Sequence, residues 1–311
     1  MKIRKYIYKL FFKRDLSIKR RIHLWKSYLK YNTTVTLYDY KAILKETQTE
    51  FFKKANENSI IQIKKDQNRT YVRKKNDNTS EELFNILISF VNSENKINYV
   101  QGINSITGFI YDLTENEEET FHLLISIFIM THLRDIFEDD DFQILKTFFY
   151  TIERLVYLYL PKIYSKLKDN NIELSFFMSA YFITLYTILY PSLPEDDISI
   201  LLHVWDDFLL DGWCSFFSVW LTILKYHEKE ILKCKENDRL INYLSNKLKD
   251  SELFKKENYK TFLELKKKFK ISEELVKNLQ DEIAVEAGIR KVGASTIIED
   301  FNTDDRSMVI K

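Results

Sequence analysis

Only five glycines and three prolines punctuate the 311 residues of this chain. That scarcity constrains the fold more than any other feature. A sheet-rich chain needs many tight turns, and tight turns draw on glycine and proline. Long helices joined by polar loops need few. An apolar fraction of 45% and an aromatic fraction of 15% provide enough side chain to bury a substantial core. The fold class expected is all-α.

Helical spacing supports this. Leu145, Phe148, Phe149, Ile152, Leu155, Val156 and Tyr159 form one apolar stripe, closed by Pro161. Leu83, Leu87, Phe90 and Val91 form another. Thr79-x-x-Glu82 and Thr114-x-x-Glu117 read as capping boxes, the second opening a helix from Phe121 through Leu133. Pro194, with Glu195, Asp196 and Asp197 behind it, reads as a helix start. It leads a helix over about 198–210, which Asp211-Gly212 ends. Further helices are expected over 216–232 and in two amphipathic segments between Arg239 and Phe269. Residues 92–98 form a polar loop. Periodicity fades from Gly288 onward, as in a mobile tail. The organisation expected is a single large helical domain over 1–270, then a C-terminal helix and flexible tail over 271–311.

Charge and composition narrow the function. Lys+Arg 47 against Asp+Glu 46 leaves a net charge of +1, which argues against nucleic acid as a partner, since a polyanion binder needs surplus basic groups. Cys214 and Cys234 show neither metal spacing nor a disulfide framework, and the five histidines are scattered. No metal site is expected, and a reducing cytoplasm suits such cysteine usage. The basic, apolar N-terminus is a poor signal peptide, because Lys9 breaks its apolar run. It reads as a helix packed on the domain. Leu174–Pro194 carries no charge and reaches membrane-spanning length. Its serines, threonines and tyrosines favour a central helix buried by protein, so no integral membrane span is expected.

Two short strings carry the chemistry. In Ile63-Lys-Lys-Asp66-Gln-Asn-Arg69-Thr70, Asp66 and Arg69 lie three apart and share a face on a helical turn. Alone, the pair reads as a surface ion pair; as a site, Asp66 fixes a guanidinium aimed outward. In Tyr99-Val-Gln101-Gly102-Ile-Asn104, Gly102 permits a turn or a close backbone approach, and Asn104 hydrogen-bonds that turn. Alone, this string reads as a helix start after a loop. Together they offer an arginine to neutralise charge on a transferring phosphoryl group and a glutamine to orient the attacking water. Arg21 and Trp25, four apart, suit stacking on a helix. Trp205 reads as core, with Asp206 satisfying a nearby donor.

The order Arg-x-x-x-Trp, Ile-x-x-Asp-x-x-Arg-Thr, Tyr-x-Gln-Gly-x-Asn resembles the TBC domain of Rab GTPase-activating proteins. Tyr181-Phe-Ile-Thr184-Leu-Tyr186, Leu193-Pro194 and Val204-Trp205-Asp206 through Gly212 resemble its later strings, so the likeness runs from about Lys19 to Leu232. It implies an all-helical activator that supplies Arg69 and Gln101 in trans to the GTP-bound form of a Rab GTPase. Asp66, Thr70, Tyr99, Gly102 and Asn104 would support these two groups, and Arg21, Trp25, Trp205 and Asp206 would be structural. It implies no cofactor of the chain's own, GTP and magnesium being held by the partner. The expected location is cytoplasmic, peripheral on endomembranes through that partner, in the regulation of vesicle trafficking. The alternative is an inactive module that binds a GTPase without stimulating it. Tyr71 stands where the family often has Phe-Pro, Ile103 replaces Met or Leu, Tyr181 replaces a frequent Trp, and His203 replaces a basic residue. None of these removes Arg69 or Gln101.

Overall fold

The computed structural model describes residues 8, 10–11, 16–93, 99–138, 143–194 and 197–286. No strand occurs among the described residues, and the chain is all-α. It packs as two compact units. One comprises the described parts of 6–140 together with 183–190; the other comprises the described parts of 141–182 and 191–311.

The first unit holds α1 (Ile18–Tyr28), α2 (Tyr31–Leu37), α3 (Tyr40–Thr47), α4 (Glu50–Ala55), α5 (Glu57–Gln67), α6 (Thr79–Ser93), α7 (Ile103–Thr114), α8 (Glu117–Met130) and α9 (Leu133–Glu138). Helix α7 is its axis. From Ile103 to Leu113 every residue but Ser105 is buried; a helix enclosed on all sides requires neighbours all round. Helices α1, α5, α6 and α8 pack against it. Side-chain caps fix several starts. Asp39 accepts from the Ala42 N–H at 3.1 Å, Thr49 from Phe52 at 3.2 Å, and Asn116 from Glu119 at 2.8 Å. The box expected at Thr114 therefore sits two residues later. Thr114 still belongs to α7, Glu115 ends that helix at φ 52°, and Asn116 opens the next with Glu117, Glu118 and Glu119 in its first turn. Thr79 does begin α6, but its hydroxyl accepts from the Asn76 N–H at 2.8 Å instead of capping Glu82.

The second unit holds α10 (Gln143–Tyr159), α11 (Pro161–Asp169), α12 (Ser175–Ile183), α13 (Ser199–Asp211), α14 (Trp213–Lys233), α15 (Asn237–Asn242), α16 (Tyr259–Lys266) and α17 (Glu273–Glu286). Its core is aromatic. Trp213 stacks on Phe182 at 4.8 Å and 12°, and Phe148 and Phe208 meet the same indole at 4.8 and 5.1 Å. Trp205 and Asp206 are buried on α13. His203 Nε2 lies 3.2 Å from Asp207, which also pairs with Lys266 on α16. Burial alone pushes the Asp207 carboxyl up, but the His203 hydrogen bond and the Lys266 charge outweigh it and hold the group below its ordinary value. His227 is buried between Tyr243 and Ser251, 2.7 Å from each, and burial pushes its pKa down to about 4. Helix α17 packs on α10.

Two expectations need correction. The uncharged stretch from Leu174 is not one helix. Helix α12 stops at Ile183, Leu185 and Tyr186 adopt left-handed φ of 47° and 65°, and a 3-10 turn follows over Thr187–Ser192. Two consecutive left-handed residues cannot continue a right-handed helix. The stretch is mostly buried, yet Phe176 is 75% exposed, and no helix of the described residues is long and apolar enough to cross a membrane. Pro194 lies outside any helix, but the helix expected over about 198–210 is present over Ser199–Asp211, with the Ser199 hydroxyl 2.9 Å from Asp197. The two segments expected between Arg239 and Phe269 are present as α15, continued by a π turn over Tyr243–Lys247, and α16, with two 3-10 turns between them. The expected N-terminal helix over 1–14 lies mostly outside the described residues, as do 94–98 of the polar loop and the tail from Gly288.

Candidate functional site

The site is built on the first unit, where α5 ends and α7 begins. Asp66 occupies the last turn of α5 and is 1% exposed. The backbone turns immediately after it, the Arg69 N–H donating to the Asp66 carbonyl at 3.0 Å. Arg69 consequently leaves the helix as its carboxylate partner stays buried. Arg69 Nη2 pairs with Asp66 Oδ1, and the arginine side chain remains 54% exposed. The other carboxylate oxygen, Oδ2, accepts from the Tyr99 hydroxyl at 2.8 Å. Burial first, then the hydrogen bond to Asp66 and its charge, push the Tyr99 phenol far above its ordinary pKa. It stays protonated and donates to the carboxylate. The Tyr99 N–H lies 3.4 Å from the Ser59 hydroxyl of α5.

Gly102 sits at φ 116°, a conformation that L side chains rarely adopt, and caps α7. A Cβ there would stand 2.4 Å from Ile183 Cγ2. The close approach expected at this glycine is therefore to a side chain and not to another backbone. Asn104 Oδ1 accepts the Gly102 N–H at 3.1 Å, closing the turn as its position suggested, and its Nδ2 donates to Thr70 Oγ1 at 3.0 Å. Thr70 in turn donates to the Asp66 carbonyl at 2.8 Å. One buried hydrogen-bonded path thus joins the residue after Arg69 to the residue after Gln101. Gln101 itself is exposed.

The structure therefore brings Asp66, Arg69, Thr70, Tyr99, Gly102 and Asn104 into one network, with Gln101 at its edge. Arg21 and Trp25 are buried on α1. Among the described residues, no group of three or more His, Cys, Asp or Glu side chains gathers as metal ligands would. Sequence reasoning missed two participants. Asp112 accepts the N–H groups of Arg73 and Lys74 at 2.8 and 2.9 Å, and the Tyr190 hydroxyl at 2.9 Å. The available signal was an aspartate inside the apolar run Phe109-Ile-Tyr-Asp112-Leu, since a buried carboxylate needs donors.

The all-helical scaffold is one found in Rab-GAP domains. The chain belongs to the Rab-GTPase-TBC domain family, whose model matches residues 4–232. It is similar to growth hormone-regulated TBC protein 1 of Rattus norvegicus, at 29% identity over 49% of this chain and 50% of the relative. The fold is also that of the Chlamydomonas flagellar RabGAP TBC domain (TM-score 0.63, 17% identity, 83% of this chain and 82% of that one). It is shared with the Ypt/Rab-GAP domain of Gyp1p (TM-score 0.67, 14% identity, 86% and 92%). The chain spans between 12% and 50% of the length of the first curated relatives it matches.

Proposed function

We propose that the chain accelerates GTP hydrolysis by a Rab-family GTPase in its GTP-bound form, with Arg69 and Gln101 acting in trans. The observation that carries this reading is the mounting of Arg69. An exposed guanidinium is anchored through a fully buried carboxylate that Tyr99 holds from the other side. A mobile arginine would lose side-chain entropy when ordered at the transition state; an arginine already tethered loses less. Its fork of five donors exceeds what the Asp66 pairing uses, leaving N–H groups for phosphate oxygens. Gln101, exposed beside the positive-φ turn at Gly102, supplies the amide that orients the attacking water. GTP and magnesium belong to the partner, and the chain contributes no cofactor. Acting on Rab proteins, it would regulate vesicle trafficking from the cytoplasmic face of endomembranes.

The test is single-turnover GTP hydrolysis by a panel of Rab proteins with and without the chain. Acceleration of at least one Rab by a thousandfold or more is expected, on the order of what an arginine supplied in trans contributes. Binding of a GTP-loaded Rab without acceleration would instead establish an inactive module.

A further inference from the structure

Asn104, Gly108 and Asp112 stand four apart on α7 and so form one stripe. The segment that follows Arg69 runs along that stripe. Thr70 takes the hydrogen bond from Asn104 at 3.0 Å. The Tyr71 carbonyl passes so close to Gly108 that a Cβ there would meet it at 2.7 Å. Asp112 then accepts the N–H groups of Arg73 on Oδ2 and Lys74 on Oδ1. Residues 70–74 are neither helix nor strand, so their N–H groups need partners from outside regular structure. The carboxylate supplies them while only 2% exposed.

A second group braces the same carboxylate. The Tyr190 hydroxyl donates to Asp112 Oδ2, and burial, then the Asp112 charge, push its pKa far above the ordinary value, so it remains a donor. The Arg73 guanidinium lies over the Tyr190 ring at 4.2 Å and donates to the Tyr190 carbonyl at 3.1 Å. Tyr71 and Phe109 meet that ring edge-on at 5.4 and 5.1 Å. The exit from the arginine turn is thus hydrogen-bonded to α7 at Thr70, Arg73 and Lys74, and Gln101 lies just before the N-terminal end of that helix.

We propose that Asp112 is a positioning residue for Arg69: by clamping residues 73 and 74 to α7, it fixes where the arginine stands relative to Gln101. The inference rests on the proposed GTPase activation. It differs from a purely structural role in what it predicts for the rate. A clamp that only stabilises the fold would leave the turnover of folded protein unchanged. A clamp that places a catalytic group lowers kcat, because small misplacements at a reacting centre are costly.

Asp112→Asn keeps the shape but replaces one acceptor oxygen with an NH2 that cannot accept an N–H. Amide hydrogen exchange at 73 and 74 should rise about tenfold or more, while the interior of α7 stays protected. Stimulated hydrolysis should lose about tenfold to a hundredfold in kcat, with the KM for the GTP-loaded Rab changed by less than about twofold. Tyr190→Phe, which removes one hydroxyl and keeps the ring under Arg73, should move kcat the same way by about two- to tenfold. In an Arg69→Ala background, Asp112→Asn should subtract nothing further, because the two act through one group. Unchanged exchange at 73 and 74, an unchanged kcat, or an equal fractional loss in both backgrounds would overturn the inference. An unaltered chain that stimulates no Rab is failure of the proposed function; full stimulation by both the unaltered and Asp112→Asn chains is failure of this inference alone.

Discussion

The polar cage around Asp66 and the aromatic cluster around Trp213 are both buried, but they are held by different physics. In the cage, each atom has an assigned partner: Asp66 Oδ1 to Arg69, Oδ2 to Tyr99, and the two ends of the Asn104 amide to Gly102 and Thr70. In the cluster, Phe148, Phe182, Phe208 and Trp213 touch through ring faces and edges. The Trp213 indole N–H has no hydrogen-bond partner among the described residues. Directional bonds specify an orientation, and losing one partner strands the other at about 1–3 kcal/mol. Ring packing specifies volume, and a swap that conserves volume is tolerated. The cage therefore aims a side chain, whereas the cluster keeps helices together.

The largest effect should come from the group the cage aims. Arg69→Ala should lower stimulated GTP hydrolysis by about 10³–10⁵, or roughly 4–7 kcal/mol of barrier, with the helical circular dichroism unchanged. Arg69→Lys should also fail, because an ammonium lacks the planar fork of donors. Asp66→Ala should lose less than Arg69→Ala, since Asp66 orients without touching the reacting phosphate. Equal loss in two folded variants would erase the distinction between aiming and acting.

Next comes the other side of the comparison. Trp205 is buried on α13 in the unit that holds the cluster. Trp205→Ala should cost about 3–5 kcal/mol of stability, visible as a fall in Tm, while any protein that remains folded keeps its activity. A Tm that does not move would remove Trp205 from the core.

The smallest effects sharpen the contrast most. Tyr99→Phe removes one oxygen from the cage and Trp213→Phe removes one orphan N–H plus some ring volume. Both should cost about 1–3 kcal/mol in Tm measurements. Only Tyr99→Phe should also depress stimulated hydrolysis measured well below Tm. If both or neither depress it, the division between directional and volumetric packing fails.

What was legible in the sequence follows the same division. The pairing of Arg69 with Asp66 and the turn that Asn104 closes on Gly102 link residues two or three apart, and such contacts leave a local trace. The apolar stripe of α10 is likewise local, although the buried face centres on Ile144, Thr147 and Thr151 as well as Phe148, so threonines share a face that apolar spacing alone did not assign them. Asp112 left a sign of burial in its apolar run, but its pairing with Arg73 and Tyr190 was not legible, because those partners lie 39 and 78 residues away. The break at Leu185 and Tyr186 was hidden for another reason. Neither residue favours a left-handed backbone, so only packing can impose it. At Thr114 two cap signals competed within three residues. Asn116 won because its box places three glutamates in the first helical turn, where the helix dipole favours them.

On the proposed mechanism the chain brings its own glutamine as well as its arginine. The direct measurement is stimulated hydrolysis by a target Rab whose own catalytic glutamine has been replaced by alanine, using the unaltered chain and its Gln101→Ala variant. If Gln101 positions the attacking water, the altered Rab is still stimulated by the unaltered chain and is no longer stimulated by Gln101→Ala. If stimulation instead disappears with the Rab glutamine and survives Gln101→Ala on an unaltered Rab, the chain works through Arg69 alone, and Tyr99-Val-Gln101-Gly102 is only the start of a helix.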